Sequence, residues 1–186
     1  MLRLIPMALG VVAAPLLAQT NPAPLPTPSP TVAPAPVPSP VPALPRVKID
    51  TTAGSFTVEV EVKKAPITAA NFLRYVDQRK LDGITFYRTV KVADKFGFVQ
   101  FGTNGDHKRT LPPIKHEPTT LTGLKHLNGT LSVARLAPGT ARGDFTISVG
   151  DQPSLDADPS KPDDATHTNL GYATFGRVVD GMDVVI

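Results

Sequence analysis

The strictest alternation of apolar and polar residues runs from Ser55 to Val62. Every second residue in this stretch is apolar, and the apolar set is Phe56, Val58, Val60 and Val62. A period of two is typical of a β-strand with one buried face. The segment Val47–Thr51 also predicts a strand, and the Ala53-Gly54 turn would join the two strands into a hairpin.

A helical pattern follows at Pro66. Proline suits the first position of a helix, where a backbone N–H would have no partner in any case. The segment Ile67–Arg79 is predicted to be amphipathic and to pack on a sheet through one side, formed by Ala70, Phe72, Leu73 and Val76. The Leu81–Gly83 turn would end this helix.

Five more short segments predict strands: Thr85–Val90, Phe98–Phe101, Thr130–Arg135, Phe145–Val149 and Ala173–Val179. Short strands between Gly- and Pro-containing turns, with one or two helices, favour a mainly β fold in which helices cap a barrel. Residues 180–186 predict a turn that leads into a short helix. Because that segment ends on the apolar run Val184–Ile186, we expect the domain to continue beyond it.

The N-terminus carries one basic residue, Arg3, and then an apolar run from Leu4 to Ala18. This length fits the core of a signal peptide and is short for a membrane span, so residues 1–18 predict a signal peptide. The export signal predicts a periplasmic or otherwise extracytoplasmic location, with no stable membrane span after cleavage. The alternative is an uncleaved anchor, although Pro6 and Pro15 disfavour a continuous spanning helix.

Residues 19–45 predict a disordered, proline-rich linker in front of a domain at 46–186. Prolines alternate there with Ala, Thr, Ser and Val, and polyproline II is the one regular conformation open to such a sequence. At ~3.1 Å per residue the stretch from Asn21 to Pro45 would span roughly 75 Å. A stalk that holds the domain away from a membrane and an unstructured leader both remain open.

Composition excludes several classes of protein. The formal net charge is +3 and the basic residues form no cluster, so nucleic acid is not a predicted partner. The absence of cysteine excludes disulfides, thiolate metal sites and cysteine nucleophiles. We predict no metal and no cofactor, and we expect a monomer. The four histidines are predicted to be surface loop residues, at His107, His116, His126 and His167.

Four motifs in order along the chain resemble the cyclophilin family. They are Ala65–Phe72 at the start of the helix, Phe86-Tyr87-Arg88, the strand Gly129–Arg135, and Phe175–Val178. The resemblance covers about Val47 to Ile186. It implies a closed eight-stranded barrel capped by helices, with a surface groove that binds X-Pro peptides and accelerates their cis–trans exchange. The implied partners are X-Pro-containing polypeptides, namely exported or unfolded proteins.

The resemblance also implies a set of site residues. Arg88 would be the catalytic group, with a guanidinium that donates to the prolyl nitrogen as the amide twists. The implied substrate-binding residues are Gln100, Phe98, Ala134, Arg135, Asp144, Thr146, Leu155 and Tyr172.

Several positions depart from the family pattern, and three of them bear most on the pocket. Thr146 replaces a phenylalanine of the proline pocket, Asp144 replaces a glutamine, and Gly97 stands where a phenylalanine is expected. Phe96 and Phe98 are candidates to refill the space. The departures leave open a second hypothesis, a non-catalytic module for binding proline peptides or for chaperoning, and a third, a structural role in the cell envelope.

Overall fold

The computed structural model describes residues 43–161 and 169–186. The predicted signal peptide, most of the proline-rich linker and His167 lie outside these residues. In the described part, no helix has both the length and the apolar character that crossing a bilayer requires.

Seven antiparallel strands form one curled sheet in the order β1-β2-β7-β5-β6-β4-β3. Their bounds are β1 Arg46–Thr51, β2 Gly54–Val60, β3 Phe86–Ala93, β4 Phe96–Gly102, β5 Thr130–Val133, β6 Asp144–Val149 and β7 Ala173–Asp180. All seven correspond to segments that the sequence predicts as strands, with ends shifted by a few residues. The predicted mainly β fold is therefore confirmed.

The closed eight-stranded barrel is wrong for this structure. The sheet is an open half-barrel, in which β1 and β3 are the edges and each pairs with one neighbour only. The physical reason is that the described residues contain seven segments with strand character. The eighth strand came from the family resemblance and had no alternating segment of its own.

Helix α1, Pro66–Asp77, covers the sheet, while α2, Thr119–Thr122, and α3, Met182–Val185, are single turns. The predicted buried side of α1 is partly wrong, because Ala70 is exposed whereas Thr68, Asn71 and Tyr75 are buried. These polar side chains find partners; the Tyr75 hydroxyl, for example, accepts the Leu111 N–H at 2.7 Å. The other three predicted residues, Phe72, Leu73 and Val76, do pack on the core. A count of apolar residues alone therefore finds one part of the buried face and misses its polar part.

An aromatic core holds α1 on the sheet. The ring of Phe72 lies 5.1 Å from those of both Phe145 on β6 and Phe175 on β7, measured between centroids. On β2, the alternating residues Phe56, Val58 and Val60 are fully buried, as the alternation predicts. Each such buried aromatic contributes about 1.5–3 kcal/mol by leaving water, so this packing gives a firm base for β4, β5 and β6.

The β3–β4 hairpin is longer than its two predicted strands and turns tightly at Asp94-Lys95. Lys95 adopts a φ of 52°, in the left-handed region that tight turns use. The pairing register also shifts between Phe86 and Arg88, where Phe86 opposes Phe101 and Arg88 opposes Gln100. This β-bulge inserts one extra residue, and bulges of this kind redirect side chains.

Candidate active site

A groove of about 540 Å³ opens on the outer face of the sheet, over β3 to β6 and the loop that precedes β7. All nine residues predicted for the site line it. They are Arg88, Phe98, Gln100, Ala134, Arg135, Asp144, Thr146, Leu155 and Tyr172. The structure thus brings together side chains that span 85 positions of the sequence, counted from 88 to 172.

The bulge in β3 decides which side chains face this groove. The ring of Phe86 turns towards the core and lies 5.0 Å from that of Phe101. The extra residue, Tyr87, and its neighbour Arg88 both reach Gln100 on β4 instead. In a regular strand, consecutive side chains would point to opposite faces.

The Arg88 side chain is exposed and makes few contacts within the described structure. Its Nη1 donates to Gln100 Oε1 over a long 3.4 Å, and its guanidinium carbon lies 5.2 Å from the centroid of the Phe98 ring. This ring face attracts the cation without consuming a hydrogen-bond donor. An arginine side chain has five N–H donors, and within residues 43–161 and 169–186 the Gln100 bond is the one that uses any of them. The others can serve a ligand.

Asp144 lies at the other end of the same network. Its Oδ1 accepts the Tyr87 hydroxyl at 3.0 Å and the Asn104 backbone N–H at 2.8 Å. Gln100 Nε2 donates to the Tyr87 hydroxyl oxygen at 2.8 Å. Burial, and next the negative charge of Asp144, raise the pKa of Tyr87 far above its usual value, so its hydroxyl stays protonated.

Gly102 makes this approach of β4 and β6 possible. It pairs with Asp144, and a Cβ at this position would overlap the Gly143 carbonyl oxygen. Any larger residue would push the strands apart. The glycine therefore brings the Asp144 carboxylate within reach of β3.

The floor of the groove is polar where the family pattern has an aromatic ring. Thr146 and Ser132 are cross-strand partners on β6 and β5, and their hydroxyls lie 2.7 Å apart. Gly97 could not carry the expected phenylalanine, because a Cβ there would overlap the Val90 carbonyl oxygen. Of the two candidates for refilling the space, Phe98 lines the groove, whereas Phe96 lines a separate cavity of about 170 Å³ beside the hairpin.

The far wall is built around Arg135. Its guanidinium carbon lies 5.1 Å from the centroid of the Tyr172 ring, its Nη2 donates to the Gly171 carbonyl, and its Nη1 donates to the Leu136 carbonyl at 3.2 Å. Tyr172 N–H also donates to the Leu155 carbonyl at 2.9 Å. These contacts hold Tyr172 and Leu155 of the far wall near the end of β5. The side chain of Arg135 therefore shapes the groove.

Sequence reasoning missed four residues that line the groove, Ser132, Leu136, Thr140 and Arg142. It also missed Tyr87, which does not line the groove but bonds to Gln100 and Asp144. Ser132 could have been found, since it lies two residues before Ala134 on one strand and so shares its face. Tyr87 could not, because its bonds to Gln100 and Asp144 depend on the bulge between Phe86 and Arg88. Thr140 stabilises the loop by accepting the Leu136 N–H at 3.2 Å and donating to the Ala137 carbonyl at 2.7 Å.

The expectation that the histidines are surface residues is wrong for His126, which is buried, and His116 is half-buried. His126 Nδ1 lies 2.7 Å from Asp156 Oδ1, and the same oxygen accepts the His126 backbone N–H at 3.0 Å. The Asp156 carboxylate provides a hydrogen-bond partner for the buried imidazole of His126, which offsets the cost of burying this polar group. In the described ranges, no three His, Cys, Asp or Glu residues gather in a way that could hold a metal ion.

Known proteins share this arrangement of elements. The family model "Cyclophilin type peptidyl-prolyl cis-trans isomerase/CLD" matches residues 46–186. The chain is 38% identical over 140 residues to a peptidyl-prolyl cis-trans isomerase of Acinetobacter baylyi, covering 75% of this chain and 69% of that protein. It is 34% identical over 144 residues to peptidyl-prolyl cis-trans isomerase B of Escherichia coli, covering 75% and 80%.

Among solved structures, a cyclophilin-type peptidyl-prolyl cis-trans isomerase of Cryptosporidium parvum matches with a TM-score of 0.59 and 22% identity, over 76% of this chain and 81% of that one. At this identity the match shows the common fold alone. The family model and the two bacterial relatives carry the assignment further. The chain belongs to the cyclophilin-type peptidyl-prolyl cis-trans isomerase family.

Proposed function

We propose that this chain catalyses cis–trans rotation of X-Pro bonds in exported or unfolded polypeptides, with Arg88 as the catalytic residue. The observation that carries the proposal is the position of the Arg88 guanidinium. It stands at a groove lined by apolar and aromatic side chains and keeps most of its donors unused.

The reaction requires a donor and a shaped cleft, and no covalent step. An X-Pro amide resists rotation by ~18–20 kcal/mol because the nitrogen lone pair is delocalised into the carbonyl. Uncatalysed exchange takes about 10–100 s. As the bond twists, the lone pair returns to nitrogen, and a guanidinium N–H that donates to it stabilises the twisted state more than either planar state.

The remaining groove residues would bind and orient the peptide. Phe98, Leu155 and Ala134 offer apolar surface for the proline ring, and Tyr172 an amphipathic ring at the far wall. Gln100 can donate its second amide hydrogen to a substrate carbonyl, and Arg135 and Thr146 supply the polar edge. Asp144 lines the groove as well, but its Oδ1 already accepts the Tyr87 hydroxyl and the Asn104 N–H. A related Cryptosporidium parvum structure was solved in the presence of the dipeptide Ala-Pro, with a TM-score of 0.59, which supports a proline peptide as the ligand.

The N-terminal sequence supports an extracytoplasmic site of action. It predicts a signal peptide at residues 1–18 and a proline-rich linker at residues 19–45. Exported chains fold outside the cytoplasm, and slow X-Pro isomerisation limits the folding of many of them. N-terminal sequencing of the mature protein from each cell fraction tests this part. A cytoplasmic protein that retains Met1 would contradict it.

A protease-coupled isomerisation assay on the full chain tests the activity. Arg88→Ala is expected to lower kcat/KM roughly 100- to 1,000-fold, the usual loss when one transition-state donor is removed. The matched control is Arg177→Ala on β7, since Arg177 is also exposed and its guanidinium pairs with Glu59 outside the groove. Equal rates for the parent and Arg88→Ala would contradict the proposal.

The hydroxyl pair of Thr146 and Ser132 favours a second candidate, a non-catalytic module that binds proline peptides. A polar floor gives a proline ring less apolar contact than an aromatic one. In the same assay, this candidate predicts no rate above background together with measurable binding of a proline-containing peptide. Rate enhancement by the parent would exclude it.

A further inference from the structure

We propose that Tyr87 and Asp144 are positioning residues. They fix which group donates and which accepts in each bond of a hydrogen-bond relay between Arg88 and Asp144. The relay runs from Arg88 Nη1 to Gln100 Oε1, from Gln100 Nε2 to Tyr87 Oη, and from Tyr87 Oη to Asp144 Oδ1. This inference rests on the proposed function, because it assigns a role in the same reaction.

The direction of the relay is set at its carboxylate end. An ionised carboxylate only accepts hydrogen bonds. Asp144 Oδ1 receives the Asn104 backbone N–H, which can only donate, at 2.8 Å. The same oxygen therefore takes the hydroxyl proton of Tyr87, and a bond to an ionised acceptor is among the stronger kinds.

The Tyr87 hydroxyl passes this direction to Gln100. With its proton committed to Asp144, the hydroxyl oxygen presents a lone pair to β4. Gln100 must then turn its NH₂ group towards Tyr87, at 2.8 Å, and its carbonyl oxygen towards Arg88. A flipped amide would bring its NH₂ group against the guanidinium, donor against donor.

Two features of the fold make this relay possible. The bulge in β3 brings both Tyr87 and Arg88 within reach of Gln100. The oxygen and the nitrogen of the Gln100 amide can therefore both form hydrogen bonds with β3. Gly102 lets β4 approach β6 closely enough for Asp144 to reach the hydroxyl. The side chain of Asp144 is shorter than the family's glutamine, and Tyr87 fills the intervening distance.

The consequence is a guanidinium with a defined acceptor on one side. Arg88 is exposed and has a single long hydrogen bond in the described structure, so a flip of the Gln100 amide would remove its acceptor and leave the Phe98 ring to hold the guanidinium. The relay would act on the reaction step more than on peptide binding, because it is connected to the guanidinium that donates to the prolyl nitrogen.

The experiment compares four variants of the full chain, namely Tyr87→Phe, Asp144→Ala, the double variant, and Asp144→Asn. Each of the first two is expected to lower kcat roughly 3- to 10-fold, with peptide Kd changed less than about twofold. Because the relay acts as a unit, the double variant should lose no more than either single one. Asp144→Asn should lose less than Asp144→Ala, since its Oδ1 can still accept both bonds.

The matched control is Tyr75→Phe, which removes a tyrosine hydroxyl whose partner is the Leu111 N–H. It is expected to lower the melting temperature and to leave kcat near that of the parent. The side-chain amide signals of Gln100 in ¹⁵N–¹H spectra supply a direct readout. Tyr87→Phe and Asp144→Ala should both shift them, and Tyr75→Phe should not.

Two results would overturn the relay: losses in kcat that multiply in the double variant, or Gln100 amide signals that do not respond to Asp144→Ala. An inactive parent would instead overturn the proposed function. In that case the Gln100 signals alone decide whether the relay exists, so the two failures remain distinguishable.

Discussion

Two carboxylates anchor hydrogen-bond networks in this fold, and they are used in opposite ways. Glu117 is 3% exposed and accepts the Ile67 N–H at 3.1 Å, the Thr68 N–H at 2.7 Å and the Thr68 hydroxyl at 2.7 Å. Asp144, half-buried at the groove, begins a chain of bonds that ends on the exposed Arg88.

The first network is closed and the second is open. Helix α1 begins after Ala65, which has no capping side chain, so Glu117 caps it from 50 residues away and interacts favourably with its positive end. Every donor there is satisfied within the fold. The groove network leaves donors of Arg88 for a ligand. Similar bonds thus stabilise the fold in one place and, in the function that we propose, prepare a reaction in the other.

The largest expected effect comes from opening the closed network with Glu117→Ala. Two backbone N–H groups and a hydroxyl would lose their acceptor in the interior, and we expect the free energy of unfolding to fall by about 3 kcal/mol. Thermal unfolding should show a melting temperature lower by roughly 10 °C. Activity per folded molecule should stay the same.

The matched control is Glu61→Ala. The Glu61 carboxylate pairs with Lys64 at 3.8 Å near the surface, and such ion pairs contribute about 0–1 kcal/mol. Equal losses in the two variants would show that the Glu117 network does not hold α1.

A smaller effect is expected from Thr146→Phe, which places an aromatic ring on the floor of the groove. The additional apolar contact should lower KM for a proline peptide roughly fivefold, equivalent to about 1 kcal/mol. Thr146→Val serves as its control, because it removes the hydroxyl pair with Ser132 without adding a ring. A KM that rises in Thr146→Phe but not in Thr146→Val would mean that the groove is too narrow for the ring.

The smallest expected effect concerns pH and the buried His126. Its Nδ1 faces Asp156, Lys125 lies 3.7 Å from the other oxygen of that carboxylate, and its Nε2 has no partner in the described structure. Burial lowers the pKa of His126 below its ordinary value and outweighs the opposing bond to Asp156. Proton uptake at Nε2 would place an unpaired N–H in the interior.

As pH drops below about 6.5, the imidazole of His126 binds a proton in the unfolded chain but not yet in the folded protein. The free energy of unfolding therefore falls as pH drops from 7.5 to 5. The pKa of His116 is lowered in the same sense, again mainly by burial. In His126→Asn, whose amide can still donate to Asp156, melting temperatures should fall less steeply over this range. The same slope as the parent would contradict this account.

The strands were predictable because short apolar segments lie between Gly- and Pro-containing turns, and β2 also alternates strictly, as in the run Phe56, Val58 and Val60. The face of α1 was not, because Thr68, Asn71 and Tyr75 are buried through hydrogen bonds with groups distant in sequence. Closure of the barrel had no signal of its own in the sequence.

The predicted site residues all line the groove because motif matches preserve their order along the chain. What the matches could not give is geometry. The bulge that turns Tyr87 towards Gln100, and the close approach at Gly102, depend on strand register, which no local pattern specifies. The role of Asp144 in the relay follows from that register.

The exchange rate of a bound X-Pro peptide, measured by NMR on the full chain, tests the role of Arg88 most directly. The account predicts that Arg88→Ala binds the peptide within a few-fold of the parent and slows cis–trans exchange on the protein roughly 100-fold or more. Exchange on the variant as fast as on the parent would contradict the claim that this guanidinium lowers the barrier.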